Sequence, residues 1–124
     1  MATTNQTDNQ AQVFEALKAV LQPFASELTV KDNTETNYYL ETKSRSYKGK
    51  PMFFGAVMRK SYVSYHLMPL YWNPELLDNI SPELKKRMQG KSCFNFKRVE
   101  PDLFAELKKL TEAGLAEYKK AKLL

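Results

Sequence analysis

Apolar residues in the first quarter of the chain recur every three or four positions: Val13, Phe14, Leu17, Val20, Leu21, Phe24 and Leu28. That spacing lays one stripe along an α-helix. Ahead of it, Thr7 and Gln10 have the separation of a capping box. Pro23 lacks the amide that would bond back to Ala19, so the helix predicted over about residues 9–22 should break near Gln22 and continue as one extra turn.

From Thr36 the period shortens to two. Tyrosine, phenylalanine and valine, which suit a pleated surface, concentrate in NYYLETKSR (37–45), PMFFGAVM (51–58) and YVSYHLM (62–68). The first two runs are joined through SYKGK, where Gly49 suits a tight turn, and the last two through Arg59, Lys60 and Ser61. Links this short make neighbours pair, so an antiparallel meander is the simplest topology. Next come NPELLDN (73–79) and SPELKKR (81–87), each with a capping residue, a proline at the first helical position and a glutamate in the first turn. Gly90 fits a helix exit, and SCFNFK (92–97) alternates as a fourth strand. Pro101 opens a last helix with Leu103, Phe104, Leu107, Leu110, Gly114 and Tyr118 on one face and Lys119, Lys120 and Lys122 at its negative end.

The predicted fold is therefore α+β: an antiparallel β-meander sheet with the N- and C-terminal helices packed on it, in the order α-β-β-β-α-α-β-α. With 124 residues, one core is the natural expectation. Residues 1–8 read as a disordered polar tail and 9–124 as a single domain.

Both faces of PMFFGAVM are apolar, with Met52, Phe54, Ala56 and Met58 on one and Phe53, Gly55 and Val57 on the other. A strand like that belongs inside a sheet covered front and back. The terminal helices would cover one face; the 73–89 helices, a second copy of the chain or a ligand would cover the other. The third strand turns Tyr62, Ser64, His66 and Met68 one way and Val63, Tyr65 and Leu67 the other.

Charge and composition then narrow the functions. The net charge is +5, and no acid occurs between Thr42 and Pro74, where Lys43, Arg45, Lys48, Lys50, Arg59 and Lys60 lie. A second basic group comprises Lys85, Lys86, Arg87, Lys91, Lys97 and Arg98. Such groups attract anions, and free amides at the helix starts near 73 and 81 would assist; a nucleic-acid partner is not expected. MATTNQTDN has neither a basic start nor an apolar run, and no later stretch approaches the roughly 20 apolar residues of a membrane span, so a cytoplasmic protein without a membrane partner is expected. A single cysteine and a single histidine can form neither an internal disulfide nor, unaided, a structural zinc site, and no metal or cofactor is expected.

No phosphate loop, dinucleotide fingerprint, metalloprotease helix or nucleophile elbow is present, which argues against an enzyme. Cys93 with His66 is the one pairing with a catalytic precedent, yet a small cysteine in a strand commonly packs as a hydrophobe. Tyr71 and Trp72 could stack on a ring or close the core. The resulting expectation is a non-enzymatic binding module for a small anionic or aromatic ligand. Its groove would lie on a sheet face carrying Met58, Tyr62 and His66, bordered by Arg59, Trp72, Lys91 and Cys93. Homodimerisation through that sheet face is the competing use of it.

The second half of the chain, KGKPMFFGAVMRKSYVSYHLMPLY followed by ISPELKKRMQGKSCFNFKRVEPDLFAELKKLTEAGLAEYKK, resembles the bacterial YdhG-like family, a domain of unknown function. The likeness rests on the Lys48-Gly49-Lys50 turn, the aromatic strand pair, the Ser81–Lys86 helix start, the Lys91–Phe96 segment and the closing helix. In that segment Cys93 and Asn95 stand where the family often has threonine and arginine. The resemblance covers about residues 37–120 and implies a compact α+β domain. Some members are described as frataxin-like iron chaperones, which implies iron handling as the alternative function. Iron of that kind takes clustered oxygen ligands, whereas Glu15, Glu27, Asp32, Glu35 and Glu41 are spread along this chain.

Overall fold

A computed structural model describes residues 10–43, 53–68, 70, 73–90 and 92–120. Helix α1 (Gln10–Leu21) buries Val13, Phe14, Leu17, Val20 and Leu21, the stripe read from the sequence. At Pro23 the helix tightens into a 3-10 turn, Gln22–Glu27, as the missing amide requires. Thr7 of the expected capping box lies outside the described residues. The Gln10 side chain bonds elsewhere. Its Nε2 donates to the carbonyls of Arg59 (2.6 Å) and Tyr62 (3.2 Å), tying the start of α1 to a strand-connecting turn.

The strands are β1 (Thr29–Asn33), β2 (Asn37–Glu41), β3 (Phe53–Met58), β4 (Val63–Leu67), β5 (Met88–Gln89) and β6 (Cys93–Phe96). Between β4 and β5 lie a 3-10 turn, Pro74–Asn79, and the short helix α2 (Pro82–Lys85); α3 (Pro101–Lys120) closes the fold. All pairings are antiparallel, and the six strands stand in the order β1-β2-β3-β4-β6-β5. The α+β class and the meander are as expected, with β3 inside the sheet.

Two strands escape the sequence pattern. β1 is exposed along its whole length, so TVKDN offers no alternation to read. Its register shifts between Val30 and Asp32, and a bulge with a lysine is a common guard on a free edge. β5 is only two residues long. It also corrects the expected role of Gly90: α2 has already ended at Lys85, and Gly90, with φ of 81°, turns the chain from β5 towards β6.

One face of the sheet is buried. Tyr38, Leu40, Phe54, Ala56, Val63, Tyr65, Leu67, Phe94 and Phe96 point into a core completed by α1 and by Leu103, Phe104, Leu107, Leu110, Leu115 and Tyr118 of α3. Edge-to-face pairs lock α3 onto this layer, with ring centroids 6.0 Å apart for Phe54–Tyr118 and 4.8 Å for Phe96–Phe104. Lys119, near the end of α3, pairs with Glu27 of the 3-10 turn after α1.

The expectation that the segment following β4 covers the opposite face is corrected. Ser81 donates through its backbone amide and its hydroxyl to the Glu106 carboxylate of α3, at 2.6 and 2.7 Å, while its Oγ caps α2 by accepting from the Leu84 amide at 3.1 Å. These turns therefore extend the helical layer. Asn73, the other expected cap, makes no side-chain capping bond. Among the described residues no helix is long and apolar enough to cross a membrane.

Inside the core, Thr111 donates to the Leu107 carbonyl (2.8 Å), so the Tyr65 hydroxyl is the donor in the 2.5 Å bond it shares with Thr111. Burial raises the Tyr65 phenol above its ordinary range, and it stays protonated. Removing the donor and removing the acceptor are then unequal acts. Tyr65→Phe should cost about 1 kcal/mol, whereas Thr111→Val strands a buried hydroxyl and should cost roughly 2 kcal/mol. Denaturant unfolding checks the order of the two, and the reverse order contradicts this assignment.

Candidate functional site

The other face of the sheet is organised in rows fixed by strand register. Tyr39 lies opposite Gly55, Gly55 opposite His66, and His66 opposite Cys93. Gly55 is required here, because a Cβ at that position would overlap the Tyr39 ring. The tyrosine lies across the glycine and meets His66 edge to face, with centroids 6.4 Å apart and planes at 81°. Next in the row, Cys93 Sγ is 3.0 Å from His66 Nδ1.

The sequence thus offered a real cysteine–histidine contact, but its electrostatics oppose nucleophilic use. Burial pushes the Cys93 thiol up, outweighing a hydrogen bond with Ser92 and the nearby Arg59 charge. Burial, then Arg59, pulls the His66 imidazole down. Both changes favour a neutral thiol beside a neutral ring, whereas a cysteine nucleophile needs the thiolate. Tyr39, the fourth member of the row, is likewise raised, chiefly by burial.

The residues singled out in the sequence do not all gather on this face. Met58 lies opposite Val63 and packs against the core, so grouping it with Tyr62 and His66 mixed the two sides of the sheet. Alternation from Phe54 and Ala56 already assigns it to the helical side. Arg59 follows β3, exposed, with its amide donating to the Tyr62 carbonyl at 2.8 Å. Trp72 and Lys91 lie outside the described residues. Tyr62, His66 and Cys93 are where the alternation places them, on the face that none of the described helices covers.

Tyr62 leads to a cleft that the sequence did not define. It is lined by Tyr62, Arg87, Asn95, Lys97, Arg98 and Glu100 and holds about 360 Å³. Its construction depends on β6 entering beside β4. The Asn95 amide donates to the Arg87 carbonyl at 2.8 Å, and the buried Ser64 hydroxyl donates to Asn95 Oδ1 at 2.7 Å. Arg87 grips Glu100 with two parallel bonds, Nε to Oε2 at 2.7 Å and Nη2 to Oε1 at 2.8 Å, the geometry that makes a guanidinium–carboxylate pair both strong and directional.

That pairing holds Glu100 below the usual carboxylate range, helped by the Arg98 charge, and raises Arg87. Glu100 is consequently ionised throughout the neutral range and fully occupied by Arg87. Lys97 and Arg98 are exposed and add two positive charges to the walls. The basic cluster was visible in the sequence as Arg87, Lys97 and Arg98, but its closure around Tyr62 and Asn95 required the β4–β6 pairing. Two other grooves, of about 480 and 600 Å³, run beside α3 and include Glu106 with Glu75 and Glu117, or with Glu83 and Asp102. Their carboxylates repel anions.

Among the described residues no group of three or more His, Cys, Asp or Glu side chains is placed to share a metal ion. No family model, curated protein or solved structure matches the chain. The likeness to YdhG-like domains therefore rests on the quoted segments alone.

The raised thiol has a direct consequence. Alkylation of Cys93 should be slower than that of free cysteine at pH 7, and its pH midpoint should lie above the ordinary thiol value of about 8.5. A midpoint below that value would establish an activated cysteine and contradict the neutral pair.

Proposed function

We propose that this protein is a non-enzymatic binding module for a small anionic ligand, held in the cleft between Tyr62 and the Arg87–Arg98 region. The observation that carries this reading is the wall itself. Among the described residues, three cations and an aromatic ring converge on a recess whose one carboxylate is held by a bidentate partner. Arg87 is held by that pair and by its carbonyl, so it meets a ligand with little ordering entropy left to lose. Lys97 and Arg98 supply attraction from solvent, and the Tyr62 ring suits an aromatic substituent on the same ligand.

Calorimetry with phenyl phosphate tests this reading. Arg98→Ala and Lys97→Ala should each weaken binding roughly threefold to tenfold, the range for losing one partly exposed charge-assisted contact. Raising the salt concentration should weaken it too. Arg59→Ala, which removes a cation beside the His66–Cys93 row, should leave the affinity within about twofold. Loss of binding in Arg59→Ala with retention in Arg98→Ala would move the site to the row and overturn the assignment.

A further inference from the structure

We infer that the groove along α3 is a docking surface for a partner protein's extended segment of about seven residues, apolar in its middle and carrying lysine or arginine at both ends. Two recesses form one track there, because Glu106 belongs to the lining of both. Asp102, Glu106, Leu110, Ala113 and Glu117 line it at steps of three or four residues along α3, so they share one stripe of the helix. With a rise of about 1.5 Å per residue, Asp102 and Glu117 stand roughly 22 Å apart along the axis, the reach of about seven extended residues.

The facing wall is the 3-10 turn Pro74–Asn79 with the start of α2. It supplies Leu76 and Ile80, which pack against the core yet remain half-buried. Together with Leu110 and the exposed Ala113 they give the groove an apolar floor. Glu75 and Glu83 stand exposed on this wall and add to the acids of α3. Glu106 is held in place by the Ser81 amide and hydroxyl, at 2.6 and 2.7 Å, so its carboxylate meets a partner with little ordering entropy left to lose. Cations are fewer. Lys109 lines the recess beside the 3-10 turn, Arg87 in the other recess is taken up by Glu100, and Lys120 stands 3.9 Å from Glu117 as an exposed pair, which is worth little.

A chain of net charge +5 therefore carries an acid surplus along this one track. Basic ends on a partner segment complement that field, and apolar side chains between them cover a floor that is otherwise wet. An acidic segment is repelled, and a basic segment without apolar residues leaves the floor uncovered.

The test is fluorescence anisotropy, with the full chain titrated into the labelled heptapeptide KLALALK and, separately, into ELALALE. Peptides this short do not hold a helix alone, so binding reports the extended form. KLALALK should bind, more weakly as salt is added, and ELALALE should not. Ala113→Arg fills the floor from an exposed position where arginine suits a helix, and it should abolish binding. Glu75→Lys should weaken binding roughly fivefold, the effect of reversing one surface charge. Arg98→Ala, in the anion cleft, should leave it within about twofold, so this result stands or falls apart from the anion reading. Absence of binding to the wild type, equal binding of the two peptides, or undiminished binding in Ala113→Arg overturns the docking surface. Sedimentation velocity addresses a second copy of the chain as occupant. Self-association of the wild type that Ala113→Arg abolishes would assign the groove to that copy and overturn the peptide form.

Discussion

α1 and α3 bury the side of the sheet that carries Phe54, Tyr65 and Phe96, and this one-sided burial orients every other strand residue. A strand alternates, so fixing Tyr65 inward fixes Ser64 and His66 outward, and a slip of one residue would exchange the two sets entirely. The core side resists such a slip because it would expose several large apolar groups, each worth about 1.5–3 kcal/mol when buried. It would also break the Tyr65–Thr111 bond. The outward row of Tyr39, Gly55, His66 and Cys93, and the cleft beside it, inherit their positions from a packing arrangement they do not themselves make.

Much of that arrangement was legible. The stripe of α1, the break at Pro23, the face of α3 and the inward set of β4 follow from period and proline chemistry alone. What could not be read depends on long-range pairing or on exposure. β1 has no buried side and leaves no pattern, and Gly90 belongs to a strand connection too short to announce itself. Met58 was legible too: it shares its face of β3 with Phe54 and Ala56, and only its grouping with Tyr62 and His66 crossed the sheet. Cross-strand register hid Tyr39, whose closeness to His66 needs Gly55 between them. Arg87 and Glu100 are separated by a hairpin and meet only once β6 lies between β4 and β5.

Burial also separates the two chemistries on the outward side. Around His66 and Cys93 it favours neutral forms, leaving a polar contact that orders the sheet. Around Arg87 a full charge is kept, because the guanidinium has a carboxylate in bidentate contact and its pKa is too high for modest desolvation to neutralise. The two charge-assisted bonds from Arg87 hold Glu100 ionised, and the exposed Lys97 and Arg98 add attraction for an anion.

The central claim is that an anion is received where β6 leaves the sheet, and not at the histidine–cysteine row. Amide chemical-shift mapping by ¹⁵N NMR during a phenyl phosphate titration tests it most directly. The account predicts concentration-dependent movement of the Tyr62, Arg87, Asn95, Lys97 and Arg98 signals, with Tyr39, Gly55 and Cys93 nearly still. Movement centred on Tyr39, Gly55 and Cys93, with the β6 exit unchanged, would contradict it.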